Sequence, residues 1–222
     1  LVCLFMVYPT LQVFRISMFE KPKFVSPETF VGLGNFKELM SDMTFVESLQ
    51  NTILIIVIVT LFTVILAILF ATLLTRENFK GKNILFLCVL LVMMIPTEVI
   101  LLPLYRLIVK MGLINNMWGI ILPYLVVPML VFFFRQYLMG IPKDFLDAAR
   151  VDGCTEYGIF FKIMIPLMKP SFAAMGIYQG MQSWNNFLWP MIVTNSIDKI
   201  TLPVGLQSLL SPYGNNYDIL IA

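Results

Sequence analysis

The stretch from Asn51 to Thr75 contains no charged residue and is filled with Ile, Leu, Val and Phe. A bilayer core about 30 Å thick is crossed by a helix of about 20 such residues. In lipid, only a helix or a closed barrel satisfies its own backbone polar groups, so this one segment commits the chain to a helical membrane fold. Met111 to Phe134 and Pro170 to Ile197 are likewise uncharged, and Ile84 to Tyr105 is interrupted only by Glu98. With 59% hydrophobic and 13% charged residues, an ordinary soluble globule is excluded. The apolar run Leu1 to Phe14 starts without a methionine or the basic flank of a first span, and Tyr217 to Ala222 turns apolar where the sequence stops. The expectation is an all-α polytopic bundle, one domain over 1–222 truncated at both ends, with about five of six spans present.

Composition removes most catalytic chemistry. There is no histidine, hence no His-based triad, no HExxH zinc site and no His-ligated haem. A net charge of +2 from scattered lysines and arginines makes no nucleic-acid surface. Cys3, Cys88 and Cys154 lie far apart and read as packing residues. The one Gly-Lys pair, Gly81-Lys82, is followed by Asn83 and lacks the earlier glycine of a phosphate loop. The chain is therefore expected to be no enzyme and to hold no cofactor or metal.

Lysine and arginine in short loops set orientation. The 75–83 loop carries Arg76, Lys80 and Lys82 against Glu77, and the 135–169 connection carries Arg135, Lys143, Arg150, Lys162 and Lys169; both are assigned to the cytoplasm. The acid-rich loop from Glu20 to Gln50 is assigned outside. Residues 141–166 then form the longest cytoplasmic connection. Within it, Pro142 suits a first helical turn, Asp144 its positive end, and Gly153 a stop. Phe145, Ala148, Ala149 and Asp152 recur at spacings of three and four, an apolar stripe bordered by charge. A helix of about three turns is marginal alone, so it either meets a partner surface or lies on the membrane as a connector.

Asp147-Ala148-Ala149, three residues, Gly153, nine residues, Ile163, one residue, and Ile165-Pro166 resemble the EAA signature of ABC importer permeases, with Asp147 for the usual Glu and Ile165 for the usual Leu. Met94-Ile95-Pro96-Thr97-Glu98 through Tyr105, Gly112-Leu113-Ile114-Asn115-Asn116, Trp184-Asn185-Asn186-Phe187-Leu188-Trp189-Pro190 and Thr201-Leu202-Pro203-Val204-Gly205-Leu206 are similar to the carbohydrate-importer permeases, on the side of the maltose-type pair without the large extra domain. Asn186 stands where that pattern often has Asp. Val31-Gly32-Leu33-Gly34-Asn35-Phe36 is more similar to the sister permease of the pair. The resemblance implies a multi-pass subunit of a bacterial or archaeal inner membrane. It implies a second permease subunit, two ATPase subunits holding ATP and Mg, and an extracytoplasmic solute-binding protein. The EAA helix would dock into a cleft on the ATPase, with Asp147 facing a basic group, Ala148 and Ala149 permitting close approach and Gly153 turning the chain. A glycerol phosphate, a polyol or another small polar solute is the alternative cargo, and an ion-coupled transporter or channel the alternative class.

Polar residues in spans face protein or a wet cavity. Tyr178, Gln179, Gln182, Trp184, Asn185 and Asn186 offer amides for hydroxyls and flat faces for a sugar ring. Two readings stand: a solute pathway, or interhelical contacts supported by the Gly176/Gly180 pair. Glu98, reckoned about 20 Å from the cytoplasmic edge, needs a partner, for which Arg106 and Arg15 are candidates, or a solute or gating role.

Overall fold

The computed structural model describes residues 3–20, 29–208, 210–211 and 214–215. Its α-helices in chain order are α1 (Tyr8–Ser17), α2 (Gly34–Ser41), α3 (Met43–Arg76), α4 (Lys82–Met93), α5 (Thr97–Lys110), α6 (Met117–Ile121), α7 (Pro128–Met139), α8 (Lys143–Val151), α9 (Glu156–Ile159), α10 (Ile165–Leu167), α11 (Lys169–Trp184), α12 (Leu188–Val193) and α13 (Leu202–Ser208), with π-helical turns at Cys3–Val7 and Phe160–Met164 and 3-10 turns at Leu122–Tyr124 and Ile197–Lys199. Two short antiparallel ribbons pair Phe19–Glu20 with Thr29–Phe30, and Leu210–Ser211 with Gly214–Asn215. The chain forms two compact units, Leu1–Ile53 with Asn186–Ala222, and Leu54–Asn185.

Among the described residues, Met43–Arg76 and Met117–Met139 are each long and apolar enough to cross a bilayer, and up to four crossings result if each of two bent pairs is one span. The expected span from Ile84 to Tyr105 is one of these pairs: α4 and α5 meet at 101°. Pro96 lacks an N–H and biases Ile95 away from helix, while Thr97 and Glu98 restart it, Glu98 in the first turn where a negative charge is favoured. Pro103, inside α5, causes no such break. The expected span from Pro170 to Ile197 also ends early, at Trp184, because Asn185 turns its side chain onto the Met181 carbonyl (Nδ2 donating at 2.8 Å) and stops the helix.

In the first unit, polar side chains do the joining. Asn35 is buried and donates to the carbonyls of Ser17 (2.9 Å) and Phe19 (3.2 Å), which fixes α2 against the end of α1. Asn51 donates to the Asp198 and Ile200 carbonyls, and Thr52 Oγ1 accepts from the Leu202 N–H at 2.7 Å. These three bonds seat residues 198–202 on the start of α3, and a Cβ on Gly205 would lie 3.1 Å from Ser48 Oγ.

The second unit has one apolar core. Ala67, Ile68, Ala71 and Leu74 of α3 share it with Leu130, Val131, Phe134 and Leu138 of α7, and with Met164, Met168 and Met175. Phe134 and Phe172 tie α7 to α11 with ring centroids 5.4 Å apart. Phe86 of α4 stacks on Phe132 and lies under the Arg135 guanidinium, 3.7 Å from the ring centroid. Between α5 and α6, Gly112 adopts φ +69° and caps α5, and Asn116 Oδ1 accepts from the Trp118 N–H to open α6. Of the Gly176/Gly180 pair only Gly180 approaches another helix: a Cβ there would lie 3.8 Å from Ile56 Cγ2 of α3, whereas a Cβ at Gly176 would meet nothing within 4 Å.

Replacing Gly119 with Ala drives a methyl into the Leu113 carbonyl oxygen. It should lower unfolding stability in detergent by about 1–3 kcal/mol, whereas Gly176→Ala should leave the unfolding midpoint unchanged or raised.

Candidate functional site

The chain leaves α7 at Gly140 and enters α8 through Pro142, which occupies the N-cap position, one residue before the first helical turn expected for it. Asp144 lies in the first turn and Arg150 in the last, both favourable to the helix dipole. At the far end Gly153, at φ +80°, reverses the chain, and the N–H groups of Asp152, Gly153 and Cys154 bond the carbonyls of Ala148, Arg150 and Ala149 at 2.9–3.0 Å. Thr155 then opens α9 by accepting from the Gly158 N–H at 3.2 Å.

The two faces of α8 differ sharply. Leu146 (3% exposed) and Ala149 (5%) insert into the core of the second unit, beside Ile141 and Ile159. Phe145 is 57% exposed, and Asp147, Ala148, Asp152 and Gly153 are exposed. The anchoring stripe is therefore 146/149. Of the expected stripe 145/148/149/152, only Ala149 is on the inner side. Both stripes satisfy a period of three to four in so short a helix, and the bulk of Leu146 was the signal that separates them.

Neighbouring helix ends are tied to this region. Arg76 at the end of α3 donates through Nη2 to the Leu138 carbonyl at 3.0 Å, and Tyr137 donates to the Leu167 carbonyl at 3.2 Å. Lys82 of the Gly-Lys pair bonds the Thr75 and Glu77 carbonyls and so closes the α3–α4 turn. Asp147 has a basic partner within its own chain: Arg150 Nη1 lies 2.7 Å from Asp147 Oδ1, and the same guanidinium grips Glu156 through Nε (2.7 Å) and Nη2 (3.2 Å). Hydrogen bonding and charge from Glu156, then from Asp147, push the Arg150 pKa up, and the Arg150 hydrogen bonds hold the Glu156 carboxyl below the ordinary glutamate range. A carboxyl so lowered keeps its link above the ordinary value of about 4.3 and loses it only as pH falls through the lower folded value.

The span candidates fall into groups. Tyr178 and Gln182 are a turn apart on α11, Tyr178 half-buried and Gln182 exposed; Asn185 caps this helix end, and Trp184 is exposed. Gln179, at 3%, instead faces inward with Ser171 and Met175. Asn186 is half-buried and begins the segment leading to α12. Glu98 is exposed and its Oε1 accepts from Thr97 Oγ1 at 3.3 Å. Among the described residues the ion pairs are those of Arg150, so the pairing expected between Glu98 and Arg106 is not made, and Arg15 sits over the Phe19 ring at 5.6 Å.

The chain is a helical bundle with several candidate membrane spans and a short amphipathic helix in a polar loop, the arrangement of a polytopic membrane protein. Residues 63–222 match the family described as binding-protein-dependent transport system inner membrane component, and the chain belongs to it. It is 58% identical over 163 residues to the arabinooligosaccharides transport system permease protein AraQ of Halalkalibacterium halodurans, covering 72% of this chain and 58% of that protein. The AraQ of Bacillus subtilis is 58% identical over 166 residues, covering 73% and 59%. The chain thus spans under two thirds of these relatives. In fold it is similar to a chain from the crystal structure of a bacterial ABC transporter involved in the import of the acidic polysaccharide alginate, with TM-score 0.83, 23% identity and coverage of 99% of this chain and 83% of that one.

Leu146→Ala should cost about 2–5 kcal/mol of stability by opening a cavity in this core, while Phe145→Ala should change it by less than about 0.5 kcal/mol. Denaturant unfolding of the detergent-solubilised protein separates the two.

Proposed function

We propose that this chain is one transmembrane subunit of an ATP-driven carbohydrate importer, working by alternating access in a bacterial or archaeal cytoplasmic membrane. The observation that carries this reading is the divided burial of α8. Leu146 and Ala149 hold the helix to its own bundle, and Phe145, Asp147 and Ala148 remain exposed for a separate protein. A short helix fixed on one side and free on the other suits docking into a cleft: when the cleft moves, the helix carries the motion into the core it shares with α3, α7 and α11. The EAA pattern, the inner-membrane family and the AraQ relatives support an ATPase as that protein.

In this reading, the energy source is ATP with Mg held by two ATPase subunits, which the EAA pattern and the inner-membrane family support. A second permease subunit completes the pathway, and an extracytoplasmic binding protein delivers the solute. The names of the AraQ relatives make an arabinose-containing oligosaccharide the first cargo to test. Tyr178, Gln182, Trp184, Asn185 and Asn186 are the proposed solute-facing groups, Glu98 a proposed gate residue at the α4–α5 bend, and Gln179 a support behind them.

Uptake into vesicles containing the full-length protein and its co-purified subunits should require both ATP and the binding protein; uptake driven by an ion gradient alone contradicts the reading. Asp147→Lys should abolish uptake with the permease still inserted. Gly153→Val should lower uptake by straining a left-handed residue, at about 1–2 kcal/mol, with backbone conformation as the only cost, since a Cβ there meets nothing within 4 Å.

A further inference from the structure

The turn between α8 and α9 is itself exposed, although Leu146 and Ala149 before it and Ile159 after it share the core. Val151 and Tyr157 are 88% and 81% exposed, Cys154 is exposed, and nothing lies within 4 Å of where a Gly153 Cβ would be. Apart from backbone bonds, the side-chain link across this turn among the described residues is the Arg150 guanidinium. It reaches Asp147 on α8 and takes both carboxylate oxygens of Glu156, the first residue of α9. A planar fork gripping two oxygens fixes an angle as well as a distance. From Glu156 the helical path continues to Leu167, with Ile159 and Met164 buried in the core, before bending by 69° into α11.

We propose that Arg150 is a positioning residue that makes α8 and the Glu156–Leu167 segment one rigid arm, so that a push on the exposed face of α8 turns α11 instead of being absorbed at Gly153. This rests on the docking reading above. Exposed ion pairs add little to stability; the role of this one is orientation, and its loss should leave the protein folded and still able to bind its ATPase. The Asp147 contact has a second consequence: the acidic residue of the motif is held toward α9 by its own chain, with its other carboxylate oxygen left for a partner.

The test uses the full-length permease in lipid nanodiscs, alone and with its co-purified subunits, comparing Arg150→Lys, Glu156→Ala and Glu156→Asp. In the permease alone, amides 151–158 should exchange with deuterium about threefold faster in Arg150→Lys and Glu156→Ala, with Glu156→Asp near the unaltered protein. In the assembly, the same two variants should retain the ATPase subunits but move at least about fivefold less solute per ATP hydrolysed, and Glu156→Asp should restore that ratio. Unchanged exchange, full coupling in Arg150→Lys, or loss of the ATPase together with the link would each overturn the proposal, the last by making Arg150 a docking contact. If the unaltered protein retains no ATPase, the functional reading fails, while the exchange comparison still decides whether Arg150 locks the turn.

Discussion

Leu146 and Ala149 enter the same core as Leu74, Phe134 and Met168, and through that insertion a helix too short to persist in water becomes a fixed projection. Isolated helices of this length are marginal; what holds α8 is the removal of one side chain and one methyl face from solvent, aided by a left-handed glycine cap. Because the anchor is apolar and inward, Phe145 and Ala148 on the outer face carry no buried packing, while Asp147 is tied to Arg150.

The helix breaks in the membrane region follow a related logic. In lipid, a chain can leave a helix only where its backbone groups find other partners. Asn116 Oδ1 supplies such a partner to the Trp118 N–H at the start of α6, and Thr63 Oγ1 to the Tyr124 carbonyl where α6 gives way toward α7. At the end of α11 the Asn185 amide adds a second bond to the Met181 carbonyl, which already accepts from the Asn185 N–H. Asn185, which reads as a candidate for solute contact, therefore also bonds its own helix; Gln179 is buried, and Gln182 and Trp184 are exposed.

Much of this was legible from residue chemistry. The uncharged run in α3 dictated a membrane helix, and the spacing of the Asp-Ala-Ala-Gly pattern located α8 and its stop. Three features were not legible. A proline in an apolar run does not say whether the helix bends: Pro96 breaks it and Pro103 does not, and the difference lies in the Thr97-Glu98 restart that follows Pro96. Nor does periodicity choose between overlapping stripes in a nine-residue helix, so Leu146 went unnoticed beside Phe145. Arg150 was counted as a loop charge. That it joins Asp147 to Glu156 depends on the direction in which Gly153 turns the chain, which no local pattern specifies.

The account stands on α8 having an anchored face and a free face. Single cysteines at 145, 146, 147, 148 and 149, in a chain with Cys3, Cys88 and Cys154 replaced, can be probed with a membrane-impermeant thiol reagent in inside-out vesicles. Positions 145, 147 and 148 should react rapidly and become shielded when the ATPase subunits are present, while 146 and 149 stay unreactive throughout. Equal labelling of all five positions, or shielding that does not depend on the ATPase, would contradict it.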